Sequence, residues 1–86
     1  MAEISRFFGI IIYMYGYDHN PPHFHFTYGE YECIMYLDDW VIEGKAPSKV
    51  IKRVERWATE NETELKLAWE KAQTGEPLPR IRPLFK

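Results

Sequence analysis

The chain carries one cysteine, Cys33, so no disulfide closes within it and a reduced, cytoplasmic setting is the simplest expectation. It has no phosphate-cradling glycine loop, no Ser-centred nucleophile elbow and no paired CxxC, which sets aside P-loop nucleotide hydrolysis and a structural zinc ribbon. Long apolar runs are missing too. The nearest, FFGIIIYMYGY, is short, holds two glycines and follows Glu3 and Arg6 without a small-residue cleavage site, so neither a membrane span nor a signal peptide is expected. Positive charge is not in excess. Eleven Lys and Arg against thirteen Asp and Glu, net charge -2, exclude broad nonspecific nucleic-acid binding, which needs many uncompensated cations, and leave only a local basic patch.

What is present suits one small domain. Eighty-six residues allow a single core that buries roughly 60 to 65% of the unfolded chain's surface. With 16% aromatic residues, that core rests on a few large side chains. The run ISRFFGIIIYMYGY, Ile4 to Tyr17, is β-branched and aromatic and reads as one interior strand covered on both faces. Pro21 and Pro22 fix φ and supply no donor, so the chain leaves the strand there. HFHFTYGEYECIMY then alternates as a hairpin about Gly29 and Glu30, with glycine at the first central position of a type II′ turn. That register pairs His23 with Tyr36, His25 with Ile34 and Phe26 with Cys33. Phe24, Phe26, Cys33 and Met35 share one face, and His23, His25, Thr27 and Glu32 the other.

WVIEG forms a short further strand ending at Gly44. Pro47 suits a helix start, after which Val50, Ile51, Val54, Trp57 and Ala58 recur at helical spacing. Asn61 with Glu64 three positions on predicts a capping box opening a second helix, which buries Leu65, Ala68, Trp69 and Ala72 and stops at Gly75. The expected fold is α+β: an antiparallel sheet of three to four strands followed by two helices packed on one face. Residues 1–75 form the domain. Residues 76–86 form an extended tail whose Leu78, Ile81, Leu84 and Phe85 clamp onto the domain or onto a partner.

All three histidines fall within DHNPPHFHF, Asp18 to Phe26. Residues two apart on a strand project to one side, so His23 and His25 form a two-imidazole clamp, with His19 and Asp18 across the rigid turn. Three uses are open. The set can hold a divalent transition metal such as zinc, the histidines can act without metal as general acid and base, or they can merely finish a turn and hydrogen-bond a neighbour such as Tyr36. In the acid/base use His23 and His25 are the expected pair, oriented by His19 or Asp18, and a histidine pair flanking a phosphodiester can cleave RNA through the 2′-hydroxyl. Lys49, Lys52, Arg53 and Arg56 line one face of the first predicted helix as phosphate-contact candidates, or as a solvated face balanced by Glu55 and Glu60. Glu32, Asp38 and Asp39 are weaker magnesium candidates. Cys33 on the core side reads as inert.

The stretch ISRFFGIIIYMYGYDHNPPHFHFTYGEYE resembles the small bacterial proteins of domain-of-unknown-function family 4160. The shared elements are the apolar run Ile4 to Tyr15, the block Asp18 to His25, the Y-G-x-Y of Tyr28 to Tyr31, and G-E-P-L at Gly75 to Leu78. The resemblance implies an arrangement similar to toxin and antitoxin pairs: a toxin-like chain acting on RNA, covered by a small cognate partner protein. A second copy of the chain is the other partner considered. The resemblance brings no catalytic residue to carry over. One departure is Trp40, which follows the acidic turn where a small residue is more usual.

Overall fold

The opening apolar run is two strands rather than one. The structure is a computed structural model that describes residues 2–85. In it β1, Ala2–Phe7, turns at Phe8 and Gly9 into β2, Ile10–Met14. Phe7 pairs directly with Ile10, and both central residues take positive φ, 49° and 78°, the requirement of a type I′ hairpin. Phenylalanine is an unusual first residue there. Its ring is braced by the Arg53 guanidinium, 4.3 Å from the ring centroid, a contact from a distant helix that no local reading contains.

The remaining strands are β3, His23–Tyr28, β4, Tyr31–Tyr36, and β5, Ile42–Gly44. They form one antiparallel meander in the order β1-β2-β3-β4-β5, five strands where three to four were expected. The β3–β4 register is the predicted one at all six pairs, from His23 opposite Tyr36 to Tyr28 opposite Tyr31. Of the two turn residues only Gly29 has positive φ, 56°, in keeping with type II′.

Two helices follow, α1, Ser48–Glu60, and α2, Glu62–Thr74, with only Asn61 between them. Their apolar faces join the sheet residues Ile10, Ile12, Phe24, Phe26 and Met35 in one core. Trp57 lies fully buried at its centre, 5.4 Å from the Phe7 ring and 5.8 Å from Phe24. The capping box does not form: the buried Asn61 turns back and donates through Nδ2 to the Trp57 carbonyl, 2.8 Å. Gly75 closes α2 in the left-handed conformation, φ 75°, with its N–H on Ala72 and the Glu76 N–H on Lys71, a Schellman motif.

Helices cover one face of the sheet only, which corrects the expectation of a strand covered on both. The other face carries Ile11 and Tyr13 of β2, His25 and Thr27 of β3 and Ile34 of β4. The extended segment after Gly75 packs along β1. Ile81 and Leu84 are buried, the Ile81 N–H donates to the Ile4 carbonyl at 2.7 Å, and Trp57 Nε1 donates to the Arg82 carbonyl at 2.8 Å. Ile4 is also where β1 slips register against β2, a bulge that frees its carbonyl from the ladder. Phe85 stays 70% exposed.

Candidate functional site

Asp18 is the hub of the histidine-rich stretch. The loop after β2 is anchored by the Tyr17 N–H on the Ala72 carbonyl, 2.9 Å, with Tyr17 itself at φ 57°. The Asn20–Pro21 peptide is cis. The Pro22 carbonyl accepts from the Leu37 N–H at 2.9 Å, which ties the return of the loop to the end of β4. Between these anchors the Asp18 carboxylate faces β3. Its Oδ1 accepts from the His19 backbone N–H at 2.9 Å and stands 3.1 Å from His19 Nδ1. Its Oδ2 stands 2.9 Å from His23 Nε2 and 3.4 Å from His25 Nε2. One carboxylate therefore meets all three imidazoles.

The three rings differ in access. His19 is 87% exposed in its side chain, His25 is 17% and His23 is 4%. His23 and His25 share a face, as the alternation predicts, with ring centroids 5.1 Å apart. His23 sits at the strand's end, where Trp69 of α2, 5.2 Å away, and Tyr36, 5.8 Å away, close over it. Its Nδ1 donates to the Pro21 carbonyl, 2.8 Å, so both ring nitrogens are engaged. His25 lies on the open face, stacked on Tyr13 at 5.2 Å and met edge-on by Tyr15 at 4.7 Å. A shallow hollow beside it, about 290 Å³, is lined by Tyr13, Glu32, Ile34 and Glu43.

The electrostatics suit a carboxylate that stays ionised. Partial burial raises the Asp18 pKa, but the His19 N–H and the two imidazoles outweigh it and hold the carboxyl below its ordinary value. His25 moves down from its ordinary value, chiefly because burial penalises its charged form, with Asp18 opposing. Burial pushes Tyr13 up to about 12, with Tyr15 and Glu32 adding to the effect.

The basic stripe is elsewhere. Lys49, Lys52, Arg53 and Arg56 ride on α1, across the sheet from His25, and Arg53 stacks on Phe8 at the β1–β2 turn. That turn is beside Tyr28, the far end of β3 from His23, about 16 Å of strand away. Arg56 pairs with Glu60 at 3.2 Å. Asp39 caps its own turn through the Val41 N–H at 3.0 Å, the ordinary role of such an aspartate. Among the described residues, Asp18, His23 and His25 form the group whose ligand atoms lie close enough to hold a metal, all within 4.8 Å of one another. Cys33 is buried with its thiol pKa raised by that burial, as an inert core residue should be.

The sequence reading did not foresee Tyr13 and Tyr15 beside His25. With Ile4 to Tyr17 read as one strand, no register was assigned between it and β3, and so the pairing that sets Tyr13 opposite His25 was missing. The usable signal was their period-two spacing on the face that Ile11 shares.

A family model described as a domain of unknown function (DUF4160) matches residues 9–70. The chain belongs to the DUF4160 family. The matched part of this DUF4160 domain runs from the β1–β2 turn into α2 and takes in the whole of Asp18 to Phe26. The G-E-P-L element at Gly75 to Leu78 lies beyond it. No curated protein and no solved structure matches the DUF4160 chain. Trp40 has φ 61° and packs partly buried against the core. No helix among the described residues of the DUF4160 domain is long and apolar enough to cross a membrane.

Proposed function

We propose that the chain is the toxin-like effector of a bacterial two-gene module and that it cleaves RNA by imidazole proton transfer around Asp18. The observation that supports this is the single carboxylate gripping three imidazoles, two of which reach solvent. In this reading His25 takes the proton of a 2′-hydroxyl, the freed oxygen attacks the adjacent phosphorus, and His19 protonates the departing 5′-oxygen. Asp18 and the buried His23 are positioning residues. This revises the pairing of His23 with His25 suggested by the sequence, because His23 has no open edge to offer a substrate. Tyr15, 41% exposed beside His25, supplies a face on which a base can stack. Lys49, Lys52, Arg53 and Arg56 would touch only a strand long enough to pass round the sheet.

The test is cleavage of single-stranded RNA by the purified chain. We expect His25→Ala and His19→Ala each to lower cleavage by about 10²-fold or more with circular dichroism unchanged, and a 2′-deoxy substrate to resist. Intact RNA, or a His25→Ala variant as active as the parent, overturns the reading.

A second reading is favoured by Glu32 and Glu43, whose carboxylates border the hollow beside His25 and oppose phosphate. Here the chain is a noncatalytic module that docks a small cognate protein, or a second copy, through exposed Tyr17 and Phe85. Removal of the segment after Gly75 is a poor test, since Ile81 and Leu84 belong to the core. Tyr17→Ala and Phe85→Ala should instead lower affinity for the protein encoded by the neighbouring gene while the fold is kept. Unchanged affinity in both variants counts against it.

A further inference from the structure

The contact between His23 and the ionised Asp18 is unbalanced if the imidazole is neutral. The Pro21 carbonyl accepts at 2.8 Å and so takes the proton of His23 Nδ1, which leaves Nε2 of a neutral imidazole with a lone pair. That lone pair is aimed at a carboxylate oxygen 2.9 Å away. Two acceptors at this distance repel unless something positive lies between them. His25 Nε2 points at the same oxygen from 3.4 Å. Three donor atoms, two nitrogens and one oxygen, thus converge within 4.8 Å of one another on rigid supports.

The spacing is close to that of a metal shell. Zinc–ligand bonds of about 2.0–2.1 Å put tetrahedral ligand atoms about 3.4 Å apart, against 2.9 and 3.4 Å from Asp18 Oδ2 to the two imidazole nitrogens and at most 4.8 Å between any two of the three. The second shell is also built: a metal-bound histidine ordinarily donates its other N–H to a carbonyl or carboxylate, as His23 Nδ1 does to Pro21. Trp69 and Tyr36 fix that ring in place. We propose that Asp18 Oδ2, His23 Nε2 and His25 Nε2 bind one divalent transition-metal ion, with water or the exposed His19 completing the shell. Two imidazoles and one carboxylate select zinc, cobalt or nickel over magnesium and calcium, which prefer all-oxygen sites.

The inference goes beyond the RNA reading and holds whether or not RNA is the substrate. A metal on His25 Nε2 leaves the proton on Nδ1, so the loaded form cannot accept one there. Zinc should therefore stop the cleavage proposed above.

The test is titration of the chelator-stripped full chain with cobalt(II), followed by its visible absorption, then displacement by zinc with magnesium as control. We expect one equivalent bound and none of the signal displaced by magnesium. Asp18→Asn and His25→Ala should weaken binding by more than about a hundredfold, the upper end of what loss of a supporting residue costs. Because His23 is buried and its variants risk misfolding, these two carry the test, with circular dichroism as the check on fold. His19→Ala should change affinity by only a few-fold. No cobalt signal, affinities of Asp18→Asn and His25→Ala within about threefold of the parent, or complete loss in His19→Ala alone, each overturns the site. A chain that binds cobalt and never cleaves RNA removes the RNA reading and leaves the metal. A chain that cleaves RNA and binds no cobalt does the reverse.

Discussion

Replacing Asp18 by asparagine separates a proton from a metal as the partner of the histidine cluster. Suppose the carboxylate serves only to accept from imidazolium donors. Then the variant loses a charge-assisted hydrogen bond to a group 4% exposed, a loss of about 1.5–3 kcal/mol. Suppose instead that His23 presents a lone pair to Oδ2. An asparagine in the same place keeps an oxygen for the His19 N–H and turns its Nδ2 to donate to His23 Nε2. The metal-free variant is then as stable as the parent, or more stable by up to about 1 kcal/mol, since a partly buried charge has been removed. Zinc at a hundred times its dissociation constant stabilises the parent by about 2.7 kcal/mol. For a domain of this size that raises the melting temperature on the order of 10 °C, and the variant should lose the rise. Thermal unfolding of both proteins, with chelator and with zinc, gives all four numbers. A variant about 2 kcal/mol less stable without metal and still raised by zinc as far as the parent would falsify the metal argument.

The other predictions concern the frame of the site. Gly75→Ala should cost about 1–2 kcal/mol in urea unfolding, because φ is 75° there; the new Cβ would also meet the Tyr17 hydroxyl, but that exposed ring can swing away. Ile81→Ala should cost about 2–3 kcal/mol and redden Trp57 fluorescence as water reaches the indole, whereas Phe85→Ala should do neither. Absorbance at alkaline pH should show one tyrosine titrating near 12: the Tyr13 pKa is raised on folding, so its contribution is intact below about 10 and is lost as pH climbs through about 12. In acid, the Glu3 carboxyl, held down to about 2 by hydrogen bonds from Arg6 and Arg80, has the opposite sign. Its contribution is present above pH 4.5 and fades as pH falls through about 2, and Arg80→Ala should shift that midpoint upward by NMR.

The elements legible in the sequence were those whose signal is local. Gly29 set the hairpin, and alternation on either side of it placed His25 opposite Ile34 and Phe26 opposite Cys33. Helical spacing placed Val50, Val54 and Trp57, and Gly75 ended α2. Elements decided by distant contacts were not legible. Phe8 looks like one more strand residue until Arg53 is placed over its ring. Asn61 fits a capping box until the Trp57 carbonyl claims its side chain. For the site, the block of three histidines marked the place. Asp18 as the common partner, and His23 as the covered ring, depend on a loop path and on Trp69 arriving from α2, neither of which has a pattern in the chain.

The strip of chain along β1 has a consequence for synthesis. Glu3 and Arg80 meet across 77 positions, and Ile4 and Ile81 share a backbone hydrogen bond. A chain made from its amino end exposes β1 early, with the Ile4 carbonyl unclaimed until residues 80–84 are made. The hairpin bearing His23 and His25 can pair before then, but the indole of Trp57 keeps an unclaimed N–H until the Arg82 carbonyl arrives. A released fragment that stops short of residue 80 should be protease-sensitive at β1, and one that runs through Leu84 should be resistant.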